Sequence, residues 1–156
     1  MIAIFLEFPT LVNFYIYAIL FLGVQVMAAR YLSRKSGRGI LFSPFVEVEI
    51  NGADYDNAKY KTKSVSDNGF NPDWNDSFDF QIHNPDLAIL RFVIYDVDIF
   101  GDANFIGQYT VPVRCIRHGY RSIPLKNAYS EDLELAGKNH NLKSLTLLFI
   151  DVLVRG

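Results

Sequence analysis

Cysteine is nearly absent from this chain: Cys115 is the only one in 156 residues. An internal disulfide is therefore excluded, which suits a reducing compartment, and the thiol reads as an ordinary packed side chain. Histidine is also sparse. His83, His118 and His140 lie far apart, with neither metal-ligand spacing nor a nucleophile beside them. No glycine-rich phosphate loop and no serine-centred elbow occurs. These absences speak against an enzyme. A surplus of one charge is missing too. The formal net charge is −2, so the chain is no general polyanion binder: nucleic acid is not an expected partner, and affinity for an anionic lipid would need a local patch. Internal repeats and low-complexity tracts are lacking as well. With 15% aromatic and 21% charged residues, the composition is that of one globular domain.

The longest apolar run, Thr10 to Ala29, is broken only by Asn13, Gly23 and Gln25 and has no Lys or Arg before Arg30. Its length would let a helix span a bilayer, with Arg30, Arg34, Lys35 and Arg38 holding the remainder on the cytoplasmic side. A signal peptide fits less well, because a basic leading region is missing and Glu7 and Pro9 intrude. Leu22, Val24, Val26 and Ala28 alternate with more tolerant positions, as a half-buried strand would. One segment cannot be both, and loss of a core strand would strand the hydrogen-bonding groups of its neighbours. The strand is the preferred reading. Residues 1–19 then form an apolar extension, and 20–155 form one domain.

What the chain does contain is short strands between turn signals. Asp67-Asn68-Gly69 and Asn71-Pro72-Asp73 mark two corners, and Trp74, the only tryptophan, follows at once. Phe78, Phe80 and Ile82 then alternate with Ser77, Asp79 and Gln81, which makes a strand with one aromatic-rich face. The indole beside that strand suggests a plug at one end of a two-sheet core. Further strands are expected at 45–50, around Lys59 to Lys63, at 87–95, 105–111, 121–125 and 145–154, with a short helical turn within 112–120. Eight strands at near-regular spacing imply an all-β fold, an eight-stranded antiparallel sandwich.

Asn71-Pro72-x-Trp74-Asn75-x-x-Phe78-x-Phe80-x-Ile82 resembles the signature of C2 domains, β-sandwich modules that dock on phospholipid membranes. Pro44 to Ile50, Pro85 to Val93 and Asn104-Phe105-Ile106-Gly107-Gln108 narrow the likeness to the C2 domain of phosphoinositide-specific phospholipase C. Pro124 to Ala136, with its Tyr-Ser-Glu-Asp-Leu-Glu-Leu-Ala run, is similar to the gamma type. The resemblance covers about residues 20 to 154; Gly137 to Ser144 departs from it as a polar loop extension. It implies a non-catalytic module, since the catalytic residues of such phospholipases sit in a separate barrel domain.

Three sets of residues carry chemistry. Asp96 and Asp98 are two apart, so in an extended chain their carboxylates face one way and could share a cation with Asn104. Calcium-binding relatives carry an Asp where this chain has Asn104, and another where it has Ser43. Lost charge implies weak calcium affinity, and no cofactor is required. Lys59, Lys61 and Lys63 recur at period two and could meet lipid headgroups; the alternative is the solvated face of a one-sided sheet. Ile40, Leu41 and Phe42, with Ile99 and Phe100, are apolar loop residues suited to membrane or partner contact. Two functions follow as expectations. One is a cytoplasmic, peripherally membrane-docking regulatory module of a phosphoinositide phospholipase C in signal transduction, bound to anionic phospholipid. The alternative is an intramolecular interaction module that packs on the other domains of the parent phospholipase.

Overall fold

The computed structural model describes residues 19–32, 43–66, 69–133 and 146–156. These residues form eight strands: β1 (Leu20–Arg30), β2 (Ser43–Asn51), β3 (Ala58–Lys61), β4 (Asp73–Ile82), β5 (Ile89–Val97), β6 (Ala103–Pro112), β7 (Gly119–Pro124) and β8 (Leu147–Arg155). They build two four-stranded sheets, ordered β4-β1-β8-β7 and β3-β2-β5-β6, antiparallel throughout. The alternation that marks each strand decides which face turns inward. Leu22, Val24 and Val26 meet Val46, Val48, Ile50, Leu90, Phe92 and Ile94 in one continuous core. Phe80, Ile82, Ile123, Leu148, Ile150 and Val152 complete it.

The tryptophan motif works as an end plug. Asn75 takes a positive φ of 55°, which asparagine tolerates better than most residues. It lies where the β1–β4 register shifts, between Val26 and Ala28. Trp74 beside it is buried, and its Nε1 donates to the Pro44 carbonyl at 3.1 Å. The hydrogen bond ties the start of β4 to the start of β2 and closes that end of the core.

The preferred strand reading of the apolar run holds, and two other expectations change. The apolar run Thr10–Ala29 is not one membrane-spanning helix, because its second half is β1, paired on both sides. Among the described residues no helix is long and apolar enough to cross a membrane. The third lysine falls outside the expected strand, since β3 ends at Lys61; Thr62 instead donates its backbone N–H to Val46 at 2.9 Å. Cys115 is exposed rather than packed, because it ends a single 3-10 turn (Val113–Cys115) in which only Val113 points into the core.

Candidate functional site: an aspartate-held loop at one end of the sandwich

The loop 98–102 joins β5 to β6 at the end that Trp74 plugs. Its shape is set by one carboxylate. Asp98 Oδ1 accepts the backbone N–H of Phe100 at 2.9 Å and of Asp102 at 3.0 Å. The Gly101 N–H donates to the Asp98 carbonyl at 3.0 Å, and the Asp98 N–H donates to the Asp102 carbonyl at 2.9 Å. Gly101 has φ 89°, a conformation glycine adopts without strain. So held, the loop thrusts Ile99 and Phe100 outward, 70% and 84% exposed. Large apolar side chains are rarely left this bare without a surface to meet.

The three cation candidates come together, but in unequal roles. Asp96 and Asn104 are cross-strand partners, and Asn104 Nδ2 donates to Asp98 Oδ2 at 3.1 Å and to the Asp102 carbonyl at 3.2 Å. Both neighbours are acceptors, so the amide nitrogen and not its oxygen must face them. A calcium ion needs oxygen lone pairs; here an N–H already occupies one lone pair of Asp98. The Asp96 side chain is buried, with Oδ1 accepting the Ser43 N–H at 2.8 Å. Among the described residues no three His, Cys, Asp or Glu side chains converge as a metal site. The residues present therefore fit a calcium ion poorly: two carboxylates are partly engaged, and the third position offers a donor. Ile40, Leu41 and Phe42 lie outside the described residues.

The lysines lie along the outer face of the other sheet edge. Lys59 Nζ sits 3.2 Å from Glu47 and 3.7 Å from Glu49, and the Glu47 hydrogen bond and charge, with that of Glu49, raise its pKa above the usual lysine value. Glu49 in turn binds Arg91 at 2.7 Å, and Arg91 reaches Gln108. Lys61 stands over the Phe45 ring, 5.1 Å from its centroid, a cation–π contact. Lys63, beyond β3, donates its backbone N–H to Asp76 Oδ2 at 2.8 Å. The stripe is thus a cross-strand charge lattice more than a bare cationic strip. Asp102 and the glutamates of β2 escaped the sequence reading. The Asp98/Asp102 spacing across Gly101 was a readable signal, and Glu47 and Glu49 alternate in step with the lysines they face.

Comparison with known proteins places this architecture. The family model for the C2 domain matches residues 21–127. The chain belongs to the C2 domain family. Within it, the domain is 52% identical over 118 residues to human 1-phosphatidylinositol 4,5-bisphosphate phosphodiesterase gamma-2, covering 74% of this chain and 9% of that protein. It is also 41% identical over 115 residues to mouse inactive phospholipase C-like protein 2, covering 72% of this chain and 10% of the relative. Among solved structures, L. pealei PLC21 superposes with a TM-score of 0.70 at 30% identity, over 88% of this chain and 16% of that one. The C2 domain thus spans about a tenth of the length of these curated relatives.

Proposed function

We propose that this C2 domain is a non-catalytic docking and regulatory module of a phosphoinositide phospholipase C, which seats on anionic phospholipid through the tip of loop 98–102. The carrying observation is the exposure of Ile99 and Phe100 on a loop braced by Asp98. A rigid loop loses little entropy on insertion, and apolar insertion needs no ion. Calcium is at most a weak ligand, on the order of 10⁻⁴ M or poorer, because affinity follows the carboxylate count. The lysines add a secondary term, carried by Lys61 and Lys63 more than by Lys59, whose charge is already met by Glu47 and Glu49.

Co-sedimentation with phosphatidylserine-containing vesicles, with and without calcium, tests the reading. Phe100→Ala should lower binding at every salt concentration. Replacing Lys59, Lys61 and Lys63 should matter mainly at low salt, because between 0.1 M and 1 M the screening length falls from ~10 Å to ~3 Å. Asp96→Asn should change little. Vesicle binding that is micromolar in calcium and abolished by Asp96→Asn would refute the weak-calcium account.

A further inference from the structure

Charge is segregated along this chain. From residue 103 to residue 130 there is no Asp or Glu, whereas Arg114, Arg117, Arg121 and Lys126 all fall there. Among the described residues two of the four meet a carboxylate. Arg114 pairs with Asp86, and Lys126 lies 3.2 Å from Asp132. Arg117 and Arg121 meet no carboxylate among the described residues. They are tied to each other instead, with Arg121 Nε donating to the Arg117 carbonyl at 3.1 Å.

Both arginines flank the open side of the sandwich, where β7 edges one sheet and β6 the other. Between the sheets a notch of about 60 Å³ is lined by Tyr109, Cys115 and Ile116 as well as by the two arginines. Arg121 also walls a shallow groove of about 410 Å³ with Met27, Tyr120, Ser122 and Phe149. Tyr120, beside Arg121, is 77% exposed. Tyrosine, arginine, methionine and phenylalanine around concave apolar surface are the residue types that dominate protein-binding hot spots. Two guanidiniums lacking carboxylates select the sign of the partner.

We infer that this β6–β7 side is a second docking surface, which takes an acidic protein segment carrying an apolar anchor residue. Carboxylates of the segment would pair with Arg117 and Arg121, and its anchor would enter the notch between the sheets. At Arg117 an anionic membrane has the right charge but the wrong place. The ten residues of β6, at ~3.3 Å each, set the turn before Arg117 about 30 Å from the loop that carries Phe100. That exceeds the screening length several-fold, so a domain seated by Phe100 holds Arg117 away from the bilayer. The inference rests on the docking reading only for this orientation; the two arginines and the notch stand without it.

Fluorescence anisotropy of the full chain with a labelled acidic peptide that alternates Glu with Leu and Phe tests the proposal. A matched peptide with Gln in place of Glu and phosphatidylserine vesicles serve as comparison probes. The acidic peptide should bind, and Arg117→Glu with Arg121→Glu should weaken it tenfold or more. The Gln peptide should bind at least tenfold more weakly than the Glu peptide, and Phe100→Ala should leave peptide binding unchanged. Vesicle binding should survive the double charge reversal. No binding up to millimolar acidic peptide, or equal affinity of the reversed variant, overturns the proposal. Loss of vesicle binding in the reversed variant would assign these arginines to the membrane instead, whereas loss in Phe100→Ala alone bears only on the loop.

Discussion

A single buried carboxylate, Asp56, shows how much one residue can hold. It joins the loop between β2 and β3 to the end of β4. Oδ1 accepts the His83 N–H at 2.8 Å and meets the His83 ring Nδ1 at 2.9 Å, and Oδ2 accepts the Asn84 N–H at 2.7 Å. Burial pushes its pKa up, but the two backbone N–H groups and the His83 ring outweigh burial and hold it below the ordinary 3.8. Removing the charge leaves buried donors poorly met, so Asp56→Ala should cost about 1–3 kcal/mol in urea unfolding at pH 7. The pH dependence follows from the sign of the shift. A lowered pKa gives stability that is present above 3.8 and is lost as pH falls through the native value. The gap between the native chain and Asp56→Ala should therefore narrow below about pH 4; a gap that stayed constant to pH 2 would remove the carboxylate from the account.

At the scale of elements, β6 is packed tightly at Gly107. Its register against β5 shifts between Ile94 and Tyr95, and Gly107 then faces inward against Leu133, Leu125 and the Lys126 carbonyl. Lys126 exchanges two 2.8 Å backbone hydrogen bonds with Gln108, so the segment after β7 lies flat on this part of the strand. A Cβ at position 107 would run into the Leu133 side chain, and a branched one has nowhere to go. Gly107→Val should destabilise by about 1–3 kcal/mol through overpacking. Leu133→Ala in the same chain should recover part of that loss, because it empties the colliding volume. Absence of any rescue in a double-mutant cycle would mean that backbone, not Leu133, sets the limit.

For the whole molecule, the two ends of the sandwich and its open side do different things. The loop end carries bare apolar side chains on an aspartate-held loop. The β6–β7 side carries Arg117 and Arg121, which meet no carboxylate among the described residues. On the proposed docking role, the purified chain should release no inositol phosphate from phosphatidylinositol 4,5-bisphosphate vesicles. Release in proportion to the concentration of this chain, and lost with it on immunodepletion, would overturn that expectation. Circular dichroism should show a sheet-dominated spectrum for residues 20–156, in keeping with the eight strands and one 3-10 turn of the described residues.

The sequence by itself determined the fold, because alternation of apolar side chains fixes which face of each strand is buried and a slip of one residue would invert it. In Val46-Glu47-Val48-Glu49-Ile50 and Phe78-Asp79-Phe80-Gln81-Ile82 a slip of one residue would turn every apolar member outward. The motif around Trp74 likewise set the plugged end, since Asn75 is one of the few residue types that accepts its positive φ. Periodicity says nothing about who stands opposite. That Lys59 faces Glu49, that Asn104 turns an N–H toward Asp98, and that Arg117 and Arg121 meet no carboxylate among the described residues are decisions of strand order and loop closure. The first two pairs are 10 and 6 residues apart in the sequence. Electrostatic fate depends on distances of a few ångströms across the sheet, which only the assembled sandwich brings into being.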